Sequence, residues 1–238
     1  MVGKTVSDLS AYARQVPFTV PTVAADGFGL GIDFSAGGYD TDRVIFASAS
    51  GLPTAASASF TLHAVWWNDV YVSLSSIWGF GVGAGSGEHR RILQYNNNFY
   101  FWGNSNDWDT GVTWSGLTGL QFVTFTYDGA ALRLYVDGVL RAGPQAIGFA
   151  TAEATIVGGG GHPSGTGPNG RLHEGRIYNR ALSPGEVWEL FDPRTRFDLY
   201  QPWRRQFRIP PYGGGSAKPW LYRNHTRTLG AGFSRAIQ

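Results

Sequence analysis

Phe122-Val-Thr-Phe-Thr-Tyr-Asp-Gly129 is followed by Leu132-Arg-Leu-Tyr-Val-Asp-Gly138 and then by Val139-Leu-Arg141. Runs of aromatic and β-branched residues are typical of strands, and Asp-Gly between two such runs is a strong indicator of a tight hairpin turn. The stretch therefore predicts three antiparallel strands, at 122–127, 132–136 and 139–141, joined by two Asp-Gly turns.

A short helix is predicted further along, in Arg176-Ile-Tyr-Asn-Arg-Ala-Leu-Ser-Pro-Gly-Glu186. Ser183 can cap the first turn with its hydroxyl, Pro184 fits the first helical position, and Glu186 stands where it completes a capping box. We expect the helix to begin at Ser183 and to run to about Phe191.

These segments together resemble the laminin-G-like, concanavalin A-like jelly-roll family, which is often marked by this succession of Asp-Gly turns and by Arg-Ile-Tyr-Asn-Arg-Ala-Leu-Ser. The resemblance continues more weakly upstream, at 29–34, 43–47 and 60–67, so that it covers residues 27–191. It implies an all-β fold: an antiparallel two-sheet β-sandwich with one short helix near the C-terminal end of the domain and an extended C-terminal arm. Lectins, glycosidases, adhesion modules and structural proteins all use this sandwich, so the fold does not choose among them.

The composition agrees with one sandwich domain and excludes several other classes. The 238 residues include 34 glycines and 15% aromatic residues but no cysteine, so disulfide frameworks and thiolate chemistry are excluded. No run approaches the ~18 apolar residues of a membrane span. The first residues do not read as a signal peptide, so we expect no membrane contact and synthesis in a bacterial cytoplasm.

Three segments are expected along the chain. Residues 1–26 form an N-terminal segment with a short helix from about Thr5 to Gln15, followed by an extended path that Pro17 and Pro21 enforce. Residues 27–193 form the β-sandwich. Residues 194–238 form a basic, aromatic arm rich in proline and glycine.

Charge separates this C-terminal arm from the rest of the chain. Residues 1–193 carry 10 Lys and Arg against 16 Asp and Glu, a net charge of −6, whereas residues 194–238 carry 9 against 1, a net charge of +8. The arm could lie on its own domain, on a neighbouring subunit through arginine–carboxylate pairs, or on single-stranded nucleic acid. Because residues 1–193 are acidic, docking of the arm on the carboxylates of a neighbouring subunit is the favoured alternative, and nucleic acid is the least favoured. The candidate assembly residues of the arm are Arg194, Arg196, Trp203, Arg204, Arg205, Phe207, Arg208, Trp220 and Arg223.

The segment Asp192-Pro-Arg-Thr-Arg-Phe-Asp-Leu-Tyr-Gln-Pro-Trp-Arg-Arg205 resembles the short tail that follows this sandwich in many phage and prophage proteins. That resemblance implies a non-enzymatic structural protein of a bacteriophage particle, such as a capsid decoration protein or another head- or tail-associated component. Its partners would be other virion proteins and copies of itself, and its location would be the virion. Deleting residues 194–238 is expected to leave a folded sandwich that no longer assembles.

Catalysis is not expected. Glycosidases on this fold place two carboxylates on one strand, in patterns such as Glu-x-Asp-x-Glu, so that acid and nucleophile face one cleft. The sequence has no such triplet: Glu186 and Glu189 fall on the predicted helix, and Asp107 and Asp109 are expected in a loop. A Gly-x-Ser-x-Gly elbow, which would indicate a serine hydrolase, is missing.

The alternative function is that of a lectin-like module that attaches to host or surface glycans. A sugar ring presents an apolar face and a rim of hydroxyls, which suits a tryptophan flanked by carboxylates and amides. The candidate residues are Trp108, Asp107, Asp109, Asn106 and Trp102. The other interpretation is an ordinary half-buried strand, in which Phe99 and Phe101 alternate with Tyr100 and Trp102 before a polar turn; Trp108 is then a core or interface residue.

Two aspartates near one end of the predicted sandwich are candidate calcium ligands. Asp40 and Asp42 could supply two oxygen ligands at a rim of the sandwich, where many lectins and laminin-G-like modules hold calcium. Two carboxylates are too few to define a site, and no other cofactor is expected.

Overall fold

The structure is a computed structural model that describes residues 4–7, 15–18, 22–25, 28, 30–35, 43–46, 51–83, 85–114, 119–160 and 167–196. Its elements in chain order are β1 (Lys4–Ser7), β2 (Gln15–Phe18), β3 (Thr22–Ala25), β4 (Leu30–Ser35), β5 (Arg43–Phe46), β6 (Phe60–Val70), β7 (Ser75–Phe80), β8 (Arg90–Tyr95), β9 (Asn98–Trp102), β10 (Trp108–Thr113), β11 (Gly119–Tyr127), β12 (Ala131–Val136), β13 (Val139–Ala146), β14 (Ile156–Gly159), β15 (Asn169–Tyr178) and α1 (Pro184–Phe191).

Two antiparallel sheets form the sandwich that the sequence predicts. The six-stranded sheet has the order β10-β9-β8-β7-β14-β5, and the seven-stranded sheet has the order β13-β12-β11-β6-β15-β4-β3. The strands β1 and β2 pair only with each other among the described strands. The predicted all-β class with one short helix is confirmed.

The three strands predicted from the Asp-Gly turns are confirmed as β11, β12 and β13. Phe125 pairs with Leu134 across the first hairpin, and Val136 pairs with Val139 across the second. Asp137 and Gly138 both have positive φ, 52° and 76°. A two-residue turn of that kind matches the twist of the flanking strands, which is why Asp-Gly is preferred there.

The core between the sheets consists largely of aromatic rings. Phe60 stacks on Phe101 with ring centroids 6.0 Å apart, and Phe101 meets Phe125 edge-on at 5.3 Å. Trp66 and Trp114 are fully buried beside them. Offset and edge-on pairs of this kind each add about 0.5–1.5 kcal/mol beyond the burial of their area.

The helix α1 begins and ends where the sequence predicts. The Ser183 hydroxyl accepts a hydrogen bond from the Glu186 backbone N–H, and the Glu186 carboxylate accepts one from the Ser183 backbone N–H, so the capping box is complete. Val187 and Leu190 are buried against Tyr135 of β12. Because Leu134 faces the core and Tyr135 alternates with it, α1 packs on the outer face of the seven-stranded sheet.

The helix expected from about Thr5 to Gln15 is wrong at both ends, and residues 8–14 lie outside the described residues. Lys4–Ser7 and Gln15–Phe18 are strands that pair antiparallel, with Thr5 opposite Pro17 and Val6 opposite Val16. An isolated helix of about eleven residues is marginal in water, and β-branched residues favour the extended chain. No helix in the part of the chain that the structure describes is long and apolar enough to cross a membrane.

Candidate functional site

The hairpins β8–β9 and β9–β10 carry the residues singled out for sugar binding. On β9, Phe99 and Phe101 point into the core, where Phe99 lies 4.0 Å from Trp114 between ring centroids. Tyr100 and Trp102 alternate with them and therefore lie on the outer face of the six-stranded sheet. The expected alternation along this strand is confirmed.

Trp108 does not lie on that outer face. It pairs with Phe101 across β9 and β10, and cross-strand partners point to the same side of a sheet. Its ring meets the core residue Phe125 edge-on at 6.1 Å, and it is partly buried against the core. The indole is therefore packed on the core, whereas the sugar-binding hypothesis treats it as an open platform.

The two carboxylates on either side of Trp108 do lie on the outer face. Asp109 pairs with Tyr100 and is the second residue of β10, so its expected position in a loop is wrong; Asp107 immediately precedes that strand. One Asp109 carboxylate oxygen accepts a hydrogen bond from the Asn98 amide at 2.8 Å, and one Asp107 oxygen accepts the Gly103 backbone N–H at 2.8 Å. Both carboxylates remain exposed, which makes them available to a ligand.

Two tyrosines complete this surface, and sequence reasoning missed their role. Tyr95 at the end of β8 meets Tyr100 edge-on, with ring centroids 5.2 Å apart, and both side chains are half-buried. Burial, together with the negative charges of Asp107 and Asp109, raises the pKa of Tyr100 to about 12, and a side-chain hydrogen bond to Asp107 adds to the effect. The Tyr100 hydroxyl therefore stays protonated to well above neutral pH. We call Tyr95, Asn98, Tyr100, Asp107 and Asp109 the tyrosine–aspartate face.

Trp102 adjoins the tyrosine–aspartate face but is almost covered, at 5% exposure. His89 lies edge-on to its indole at 4.3 Å, and the Arg91 guanidinium lies 5.1 Å from its ring centroid. The Arg91 guanidinium also donates to the Gly81 carbonyl oxygen. Trp102 therefore supports one end of the face and presents little surface of its own.

Asn106 holds the neighbouring loops together. Its amide nitrogen donates to the Gly148 carbonyl oxygen at 2.7 Å, and its amide oxygen accepts from the Ser86 hydroxyl at 3.3 Å. Asn104 donates to the Gly85 carbonyl oxygen at 2.8 Å. These bonds give Asn106 a structural role at the rim beside the tyrosine–aspartate face.

The calcium hypothesis cannot be placed on the structure, because Asp40 and Asp42 lie outside the described residues. Within the described ranges, no three histidine, aspartate or glutamate side chains gather where they could hold a metal ion.

Of the arm's candidate assembly residues, Arg194 and Arg196 are described, and the others lie outside the described residues. Arg196 is bound within the domain: it donates to a Glu174 carboxylate oxygen at 2.9 Å, and its guanidinium lies 4.9 Å from the Phe28 ring and 5.4 Å from the Phe122 ring. Glu174 is also paired with the Arg176 guanidinium. Arg196 therefore fixes the start of the arm to the outer face of the seven-stranded sheet.

Solved structures share this architecture at low identity. Domain 4 of AbnA, a GH43 extracellular arabinanase from Geobacillus stearothermophilus, solved in complex with arabinotriose, is 19% identical over 73% of this chain and 82% of that one, with a TM-score of 0.55. The binding domain of botulinum neurotoxin DC, in complex with rat synaptotagmin II, is 18% identical over 71% of this chain and 45% of its own length, with a TM-score of 0.54. The binding domain of botulinum neurotoxin serotype G is 10% identical over 78% and 49%, with a TM-score of 0.53.

These likenesses establish the fold, and the chain spans less than half of either toxin structure. A comparison with curated protein sequences gives no match. A family model described as the concanavalin A-like lectin/glucanases superfamily matches residues 40–188, which is more than half of the chain. The chain therefore belongs to the concanavalin A-like lectin/glucanases superfamily.

Proposed function

We propose that this protein is a carbohydrate-binding module that holds a glycan against the tyrosine–aspartate face without cleaving it. The observation that carries the proposal is the convergence of Tyr95, Tyr100, Asp107 and Asp109 on one face of the six-stranded sheet. The arabinotriose complex of AbnA domain 4 adds that a domain of this fold accommodates an oligosaccharide.

The chemistry of the face suits a pyranose or furanose ring. The half-buried tyrosine rings offer apolar surface for the C–H face of a sugar, and aromatic groups contribute large contact area at low entropic cost. The exposed carboxylates of Asp107 and Asp109 offer acceptors for sugar hydroxyls. The Asn98–Asp109 hydrogen bond fixes one of these carboxylates before a ligand arrives, which lowers the entropic cost of binding.

Two substitutions separate this face from the core beside it. Tyr100→Ala is expected to cost about 1–2 kcal/mol of glycan binding, a five- to thirtyfold loss of affinity, with little change in Tm. Trp108→Ala is expected to lower the free energy of unfolding by about 2 kcal/mol, because it removes a ring packed on the core. A glycan array identifies the ligand, and calorimetry then measures its affinity for both variants. Thermal unfolding measures their stability. Binding that survives Tyr100→Ala and is lost only in a folded Trp108→Ala protein would contradict the proposed site.

We expect no hydrolysis of the bound glycan. Asp107 and Asp109 are exposed and accept N–H hydrogen bonds, so neither lies in an apolar pocket of the kind in which a glycosidase holds its general acid. The purified protein should release no reducing sugar from the glycans that it binds. Release that disappears in Asp107→Asn or Asp109→Asn would show a glycosidase instead.

A second candidate function, that of a structural component of a bacteriophage particle, is supported by the arm. Its net charge of +8 against −6 for residues 1–193 favours docking on acidic partners, including copies of this chain. The contacts of Arg196 with Glu174 and Phe28 hold the first residues of the arm on the domain.

Two truncations test the role of the arm. Ending the chain at Tyr200 keeps Arg196 and is expected to leave thermal stability unchanged while abolishing incorporation into particles. Ending it at Pro193 removes Arg196 and is expected to lower the Tm as well. Unchanged incorporation of the protein that ends at Tyr200 would exclude an assembly role for residues 201–238.

A further inference from the structure

We propose that the tyrosine–aspartate face selects glycans that carry free, protonated amino groups, such as glucosamine oligomers, over neutral and acidic glycans. This inference rests on the proposed carbohydrate-binding function and adds the charge class of the ligand. It follows from which charged groups on the outer face of the six-stranded sheet can meet a ligand.

The exposed charges of the face are negative. The carboxylates of Asp107 and Asp109 are both exposed at the start of β10. Asp107 accepts a hydrogen bond from the Gly103 backbone N–H, and Asp109 accepts bonds from the Asn98 amide and the Gly111 backbone N–H. These donors are neutral, so they do not cancel the two charges. Among the described residues no cation pairs with either carboxylate, so a ligand on this surface meets two negative charges.

The cationic side chains that the structure places along this part of the face are turned to the protein. Arg91 is 4% exposed, lies against the Trp102 ring and donates to the Gly81 carbonyl oxygen. His89 is 6% exposed, and its Nε2 lies 2.7 Å from the Gly83 carbonyl oxygen. Neither side chain offers an exposed cation to an acidic sugar, so uronic and sialic acids would meet repulsion without compensation.

The tyrosine rings reinforce this selection. A cation close to an aromatic face is attracted by the ring quadrupole, and ammonium groups between aromatic rings and carboxylates are a recurrent recognition geometry. Tyr95 and Tyr100 stand edge-on with ring centroids 5.2 Å apart, and Asp109 lies opposite Tyr100 across β9 and β10. A protonated amine next to Tyr100 therefore gains from both the ring and the carboxylate.

The expected selectivity follows from surface electrostatics. Exposed ion pairs are individually weak, so the two carboxylates should give a preference of about two- to thirtyfold for a glucosamine tetramer over an N-acetylglucosamine tetramer of equal length. The preference should shrink when NaCl is raised from about 0.05 to 0.5 M, because salt screens exposed charges. A glucuronate-containing tetramer should bind more weakly than the N-acetylated one.

Calorimetric titration with these three tetramers, at a pH where the amine is protonated, tests the inference on the wild type and on Asp107→Asn and Asp109→Asn. Each variant should reduce the preference for glucosamine. Glu189→Gln, which removes a carboxylate from α1 on the opposite sheet, is the matched control and should keep the wild-type ratio.

Equal affinities for the glucosamine and N-acetylglucosamine tetramers would overturn this inference and leave the proposed function standing. A preference that persists in both aspartate variants would also overturn it. If none of the three tetramers and no glycan on the array bound, the proposed function would be overturned, and the inference with it.

Discussion

Replacing Glu174 by glutamine is expected to lower the free energy of unfolding by about 3–5 kcal/mol, the range found when one member of a buried ion cluster is removed. The Glu174 carboxylate lies between the guanidinium groups of Arg176 and Arg196, whose side chains are 2% and 10% exposed. The Arg176 guanidinium also donates to the Arg196 carbonyl oxygen at 2.8 Å. Without the carboxylate, two close positive charges face each other at a site with little water to screen them.

Urea unfolding of Glu174→Gln at neutral pH measures this loss. Arg196→Met keeps the apolar stem over Phe28 and Phe122 while removing one of the two charges, so combining it with Glu174→Gln should recover part of the loss. A Glu174→Gln protein within about 0.5 kcal/mol of the wild type would show that the cluster adds nothing to stability.

Acidification from pH 7 to pH 5 is expected to reduce the stability of the wild-type protein through His63, by up to about 2 kcal/mol. His63 is 1% exposed on β6, its Nδ1 lies 2.8 Å from the Thr124 hydroxyl, and its Nε2 has no hydrogen-bond partner among the described residues. Burial, aided by the charges of Arg176 and Arg196, holds the pKa of His63 well below its ordinary value of 6.5.

The sign of the effect follows from proton uptake. Below pH 6.5 the unfolded chain binds a proton at His63 while the folded protein does not, so stability falls by up to about 1.4 kcal/mol for each pH unit until the folded pKa is reached. Asp128 and Glu186, whose pKa values are lowered to about 2 mainly by their hydrogen bonds to Arg133 and Arg180, lose their contribution only below about pH 4.5. A change in stability between pH 7 and pH 5 therefore does not come from these two carboxylates.

Urea unfolding at pH 7, 6 and 5 should show the decline in the wild type and a shallower decline in His63→Gln. If the free energy of unfolding of His63→Gln declined with pH as steeply as that of the wild type, another group would account for the proton uptake.

Elements specified by local sequence could be predicted well. The Asp-Gly turns fix both hairpins of β11, β12 and β13, and the capping box at Ser183 sets the start of α1. In both cases the decisive hydrogen bonds and dihedral angles involve residues within a few positions of each other. The fold class and the family followed from these elements.

The candidate site could be predicted only in part, because it depends on cross-strand register. Pattern alone placed Asp107, Trp108 and Asp109 together, but the pairing of Trp108 with Phe101 turns the indole to the core and leaves the two carboxylates outside. Tyr95 and Tyr100 meet across two different strands, a contact that sequence spacing does not show. The same limit applies to Glu174 and Arg196, whose bond spans twenty-two residues.

Mapping the bound glycan by NMR tests whether the tyrosine–aspartate face is the surface that holds it. The oligosaccharide that binds most tightly on the array is titrated into ¹⁵N-labelled wild-type protein, and backbone amide shifts are followed. Saturable shifts are expected to concentrate in β8, β9 and the start of β10, around Tyr95, Tyr100 and Asp109, with α1 unaffected. Saturable shifts concentrated on the seven-stranded sheet would contradict the proposed site.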